Sequence, residues 1–155
     1  SPSSAASDVY KRQVHNELYM RGVLCNILIA IETYPSERVK ERIEIATPFC
    51  KELLQTLKYL VRSPRPKIFN YISRVFIGKE GNVNRKQLKD YIRRTETLLN
   101  VLEKVNEGEC LEVNEVEEVK SFVRSLIRQV KKAYEIEERL YFSMLGFVPR
   151  SRDRF

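Results

Sequence analysis

The sequence predicts an all-α fold, an antiparallel helical bundle of four main helices plus one short helix. Apolar residues recur three and four residues apart through most of the chain, and no stretch alternates as a strand does. Helix start and stop signals stand at the ends of several of these stretches. The 155 residues include only five glycines and six prolines, too few for a sandwich of many short strands. Short connections join such helices as antiparallel neighbours.

Five helices are predicted, over residues 16–33, 37–62, 67–77, 85–105 and 115–145. Tyr34-Pro35 ends the first helix, because the residue before a proline disfavours helical backbone. Ser36 is the predicted N-cap of the second helix. Within that helix, Pro48 either kinks a continuous helix or restarts one after Thr47.

Two capping boxes are predicted from side chains three residues apart. Asn84 with Gln87 starts the fourth helix, and Asn114 with Glu117 starts the last one. Asn106-Glu107-Gly108 ends the fourth helix.

Cysteine usage and hydropathy indicate a reducing, intracellular setting, and we expect a cytoplasmic protein. The cysteines Cys25, Cys50 and Cys110 form no C-x-x-C motif, so neither a disulfide framework nor a zinc site is predicted. Cys25 and Cys50 lie on apolar helix faces and are predicted to be buried thiols, with Leu18 on the same face as Cys25. The apolar run over residues 23–31 is too short to span a bilayer. We interpret it as a buried helix, a secretion signal being the alternative.

The beginning of the chain has an unusual composition. Residues 3–13, SSAASDVYKRQ, read as the in-frame translation of a transposon-tagging sequencing adapter rather than as a natural segment. The native sequence is then expected to begin at about Val14, or at Met20. The expected division is a non-native segment, a helical bundle domain and a basic tail, at residues 1–13, 14–148 and 149–155. The net charge of +7 favours a polyanionic partner.

No catalytic motif is visible in the sequence. His15 is the only histidine and lies next to the adapter-like segment, so Ser-His-Asp and Cys-His arrangements are not expected. The chain has no glycine-rich phosphate loop and no Glu-x-x-His pair of the kind that holds di-iron centres. We therefore expect no enzymatic activity, no cofactor and no metal, a carboxylate-only metal site being the alternative.

Cations recur every three or four residues along the last two predicted helices, which places each set on one helix face. Rows of this kind can follow a phosphate backbone, so RNA or DNA is the predicted partner. The predicted nucleic-acid-binding residues are Lys86, Lys89, Arg93, Arg94, Lys120, Arg124, Arg128, Lys131 and Lys132. Between Glu103 and Glu118, by contrast, seven glutamates accompany one lysine. The alternative is that the cations only solvate exposed helix faces.

A protein-only role, as a helical adaptor or assembly subunit, is the alternative function. Apolar residues form a coiled-coil-like seam from Val116 to Met144. If the end of this helix projects from the bundle, its apolar side chains would bind a protein partner or a second copy. The predicted protein-interaction residues are Leu140, Tyr141, Met144 and Phe147.

The order of elements resembles a family of small basic four-helix bundles. A helix ends at the proline turn 34–36, a long helix with Arg42-Ile43 follows, and two antiparallel helices are joined by a short polar loop. The family includes the accessory proteins of diversity-generating retroelements and the proteins encoded in ribosomal-RNA intervening sequences. The resemblance covers the topology of residues 18–134 and implies a ring-forming homo-oligomer that binds RNA and a reverse transcriptase. Glu41 stands where the family has a glycine. The small helical subunits of CRISPR effector complexes are a second basic all-α class.

Overall fold

The structure, a computed structural model, describes residues 2–36, 38–63, 71–77, 84–144 and 146. This part of the chain contains helices and no strand, as the sequence predicts. The helices are α1 (Pro2–Thr33), α2 (Val39–Ile43), α3 (Ala46–Arg62), α4 (Tyr71–Ile77), α5 (Arg85–Glu107) and α6 (Val113–Met144).

The four long helices α1, α3, α5 and α6 enclose one apolar core. α1 packs against α6 on one side and against α2 and α3 on the other, while α5 lies between α3 and α6. The core includes side chains from each of the long helices, among them Ile27, Leu57, Leu98 and Val123, all fully buried. The short helix α4 packs against α6, where the Gln129 side-chain amide donates a hydrogen bond to the Val75 carbonyl at 3.2 Å.

The predicted second helix is two helices, and the break does not lie at Pro48. The chain turns at residues 44–45, so Pro48 is the third residue of α3. A proline is tolerated there because the first N–H groups of a helix have no carbonyl partner within it. The prediction that Ser36 caps this region is wrong: α2 begins at Val39, whose N–H group donates to the Ser36 carbonyl at 3.2 Å.

The signals around α5 are confirmed. The Gln87 N–H group donates to Asn84 Oδ1 and the Asn84 N–H group donates to Gln87 Oε1, both at 2.9 Å. Gly108 ends the helix in the left-handed conformation, with φ of 74°. The Asn114 capping box is wrong, because α6 already begins at Val113 and Asn114 is its second residue.

The predicted burial of α1 is correct for its inner face and wrong for two residues. Leu18 is 58% exposed and Cys25 is also exposed, whereas Cys50 of α3 is fully buried as predicted. Apolar residues lie on more than one face of this part of α1, so their spacing alone does not separate the inner face from the outer one. The inner face is occupied instead by side chains that include Met20 and Leu24.

Candidate nucleic-acid interface

The interface predicted from the sequence lies on α5 and α6, which run antiparallel on either side of the turn at Gly108. Arg93 Nη1 of α5 lies 3.1 Å from Glu118 Oε1 of α6. One residue further, the Arg94 guanidinium carbon lies 4.8 Å from the centroid of the Phe122 ring. Lys104 Nζ, nearer the turn, lies 3.1 Å from Glu115 Oε2. These three contacts set the register of the two helices.

Five of the nine predicted cations are engaged within the protein: Arg93, Arg94, Lys120, Arg124 and Lys131. Arg93 binds Asp90 as well as Glu118, and these hydrogen bonds raise the pKa of Arg93 above its ordinary value. The stacked guanidinium of Arg94 is mostly covered. Lys120 Nζ and Arg124 Nη2 lie 3.8 and 3.7 Å from Glu32 of α1. The positive charges of these residues are partly compensated within the protein.

Four further predicted cations are exposed and form no ion pair with another described residue. They are Lys86, Lys89, Arg128 and Lys132. The register set by Arg93 and Arg94 places Lys86 and Lys89 about level with residues 122–130 of α6, since both helices advance about 1.5 Å per residue. The four side chains therefore share one end of the α5–α6 pair, which we name the basic end. Lys131 is half-buried beside it.

The opposite end of the α5–α6 pair is acidic. Glu107, Glu109 and Glu112, which we name the acidic turn, are all exposed around Gly108. A hydrogen bond with Glu109, together with the charges of Glu109 and Glu103, raises the pKa of Glu107 above its ordinary value. Along α5, Glu107 and Lys86 are about 30 Å apart at 1.5 Å per residue. The protein thus carries opposite charge at the two ends of this helix pair.

The apolar patch predicted at the end of α6 cannot be placed. The side chains of Leu140, Tyr141 and Met144, and all of Phe147, lie outside the described residues. The seam that precedes the patch is confirmed through Val130, because its apolar side chains are buried in the core.

No group in the described part of the chain brings together three or more His, Cys, Asp or Glu side chains in a metal-binding arrangement. Burial raises the pKa of the Cys50 thiol to about 12, so Cys50 is protonated at neutral pH. No described helix is long and apolar enough to cross a membrane.

The chain was compared with protein-family models, with curated proteins and with solved structures, and it matches none of them. The resemblance to the retroelement accessory proteins therefore stays a prediction, and function has to be argued from the residues themselves.

Proposed function

We propose that the protein is a non-enzymatic nucleic-acid-binding subunit that contacts the phosphate backbone through its basic end. The observation that carries the proposal is the grouping of Lys86, Lys89, Arg128 and Lys132 on neighbouring helices, exposed and without an ion pair to another described residue. Uncompensated cations on one surface attract polyanions of any sequence. The acidic turn at the far end repels them, so the charge distribution also orients the bound strand.

RNA is the preferred nucleic acid and a larger ribonucleoprotein is the proposed setting. This preference rests on the resemblance described above, which implies RNA and a protein partner such as a reverse transcriptase or an effector complex. Backbone contacts alone do not distinguish RNA from DNA, since both present phosphates.

A salt-dependent binding titration tests the proposal. Generic single- and double-stranded RNA and DNA are titrated at several salt concentrations. Four phosphate contacts give a log–log salt slope of roughly −3 to −4, because each contact releases condensed counterions. The double variant Arg128→Gln, Lys132→Gln is expected to weaken binding to every sequence and to flatten the slope by about 1.5 to 2.

The matched control is Lys40→Gln, Lys51→Gln, which removes the same charge from exposed positions on α2 and α3. It is expected to leave the salt slope unchanged. If all four nucleic acids fail to bind at low salt, or if both double variants weaken binding equally, the basic end is not the binding surface.

The second candidate function is a protein adaptor without nucleic-acid contact. The observation that favours it is a set of large apolar side chains exposed on the outside of the bundle. Three of them, Leu18, Tyr19 and Ile29, lie on α1 and Ile45 lies beside them. Failure of nucleic-acid binding in the titration would leave this function as the better one.

A further inference from the structure

An open groove of about 710 Å³ lies between α1 and the segment that comprises α2 and the start of α3. Its lining residues fall within positions 18–26 on α1 and within positions 38–46 on the other wall. Within each wall they recur at the three- and four-residue spacings of one helix face. Each wall is about 12 Å long, because a helix advances about 1.5 Å per residue. Two neighbouring helix faces that are open on one side form a groove into which a third helix can pack.

Apolar side chains are exposed on both walls of this groove. Leu18 and Ile45 are each 58% exposed, and Tyr19 is 41% exposed. The ring of Tyr19 packs edge-on against the ring of Phe49, with the two centroids 6.2 Å apart, which holds the Tyr19 ring at the wall. Gly22 also lines the groove, and a Cβ atom at this position would meet no atom within 4 Å. Another backbone can therefore approach α1 closely here, and the exposed apolar side chains are available to a partner.

Two arginines without a carboxylate partner line the same groove. Neither Arg38 nor Arg42 forms an ion pair with another described residue. The Arg42 guanidinium donates from Nη1 to Asn26 Oδ1 at 3.2 Å, which positions it in the wall and leaves its other N–H groups able to donate. Glu41 is the one carboxylate among the described residues that line the groove, so two arginines and one glutamate give the lining a net charge of +1. A guanidinium binds a carboxylate through two parallel hydrogen bonds, and the groove therefore favours an acidic partner.

We propose that this groove, which we name the arginine groove, binds an amphipathic helix of a protein partner that carries carboxylates beside its apolar stripe. The apolar stripe lies between Leu18 and Ile45, and the carboxylates bind Arg38 and Arg42. The inference rests on the proposed function for its setting, a complex with a protein partner, and it names the surface that holds this partner. None of the residues that line the groove belongs to the basic end, so the nucleic acid and the partner use separate sites.

Other occupants fit the arginine groove less well. A basic helix would place its cations against Arg38 and Arg42, and like charges brought together are unfavourable. A nucleic-acid strand would bring phosphates to the two arginines, but backbone binding depends on several cations, and the Glu41 carboxylate lies beside these two. Phosphates would also leave Leu18 and Ile45 in water. An apolar stripe covers these side chains, which is favourable in proportion to the apolar area buried.

A binding titration with designed peptides tests the arginine groove in the full chain. The probe is a fluorescein-labelled peptide of about 18 residues, long enough to be helical, with a leucine stripe flanked by glutamates. One matched peptide replaces the glutamates with lysines, and a second replaces the leucines with serines. Fluorescence anisotropy is expected to show binding of the acidic leucine peptide, and binding of both matched peptides that is weaker by about tenfold or more.

Charge substitutions locate the carboxylate contacts. The double variant Arg38→Gln, Arg42→Gln is expected to weaken binding of the acidic peptide about tenfold and to keep nucleic-acid binding. The matched control Lys86→Gln, Lys89→Gln removes the same charge from the basic end, so it should keep peptide binding and weaken nucleic-acid binding. Failure of the proposed function would therefore appear in the nucleic-acid titration alone, and failure of this inference would appear in the peptide titration alone.

Apolar substitutions locate the contact with the leucine stripe. Leu18→Ser, Ile45→Ser changes two exposed side chains and is expected to weaken peptide binding about tenfold. The control Val113→Ser removes an apolar side chain that is 77% exposed on α6 and should leave peptide binding unchanged. The proposal is overturned if the acidic peptide does not bind, if it binds no better than its lysine counterpart, or if both arginine substitutions weaken nucleic-acid binding alone. Self-association of the chain that Arg38→Gln, Arg42→Gln abolishes, seen by light scattering, would assign the groove to a second copy and overturn it as well.

Discussion

The ion pair between Glu17 and Arg21 is the least solvated pair of charges among the described residues that form ion pairs. The two residues lie one helical turn apart on the inner face of α1. Burying two charges costs desolvation free energy, and their mutual attraction offsets only part of it. Removing one charge of a buried pair destabilises a protein more, because the other charge stays buried without that attraction. The pair is therefore a point at which a single substitution should matter more than a double one.

We predict that Arg21→Met lowers the free energy of unfolding by about 3 kcal/mol, because the buried Glu17 carboxylate loses its ion pair with Arg21. The double variant Glu17→Leu, Arg21→Met should recover most of that loss, since it removes both desolvation costs. Urea denaturation of the two variants and the wild type measures the effect. Equal destabilisation by the single and the double variant would contradict the prediction.

The buried Cys50 and the exposed Cys110 should differ sharply in reactivity. Burial raises the pKa of Cys50 from 9.0 to about 12, which lowers its thiolate population about a thousandfold. Cys110 is exposed beside the acidic turn. Alkylation of the folded protein should therefore modify Cys110 readily and Cys50 only after denaturant is added, as peptide mass spectrometry can show. Rapid labelling of Cys50 under native conditions would contradict this.

At the level of single elements, the two asparagines assigned to capping boxes have different roles. Asn84 caps α5 through reciprocal hydrogen bonds with Gln87, and Asn114 lies inside the first turn of α6. Asn84→Ala is expected to cost about 1 kcal/mol of stability, the usual effect of losing an N-cap. Asn114→Ala is the matched control and should change stability little, because alanine is favourable within a helix. Thermal unfolding compares the two, and equal losses would refute the assignment.

The two predicted capping boxes show which features of the fold can be predicted from neighbouring residues and which cannot. The box at Asn84 is predictable because a clear apolar periodicity follows it and because its hydrogen bonds join residues only three positions apart. The box at Asn114 failed because the helix starts earlier: the Val116 N–H group donates to the Glu112 carbonyl at 3.0 Å. Pro48 marked the right region but not the break itself, since proline is allowed within a helix's first turn. The exposure of Leu18 was not predictable from spacing, because apolar side chains lie on both the inner and the outer face of α1.

The positions of the cations along α5 and α6 can be predicted from the sequence, but the ion pairs that compensate their charges cannot. The spacing of the cations along α5 and α6 placed them on shared helix faces, as the structure has them. Their pairing depends on packing between distant segments: Glu32 of α1 reaches Arg124, 92 positions away, and Glu118 reaches Arg93. Such contacts leave no periodic signal in a single sequence. They reduce the predicted set to the four cations of the basic end.

On the scale of the whole molecule, charge is separated along the α5–α6 pair. The segment 103–118 has a net charge of −6 from seven glutamates and one lysine, while the whole chain has +7. Within that segment, Lys104 and Glu115 hold the two helices together next to the acidic turn. Repulsion among the remaining glutamates of this segment opposes the packing of α5 against α6 at this end. The acidic turn should therefore limit stability at neutral pH.

The raised pKa of Glu107 makes this repulsion testable. Because the folded protein binds this proton more tightly than the unfolded chain does, its contribution to stability is greatest at low pH. That contribution is lost as the pH rises through the raised pKa of Glu107.

Glu107→Gln removes the charge and is expected to raise Tm slightly at neutral pH. The difference in Tm between this variant and the wild type should shrink as the pH falls through the range in which glutamates titrate. Glu96→Gln, at a carboxylate 4.0 Å from Lys58 Nζ, is the control and should not raise Tm. Differential scanning calorimetry across that pH range measures the difference in Tm. A lower Tm for Glu107→Gln than for the wild type at neutral pH would show that repulsion in the acidic turn does not destabilise the fold.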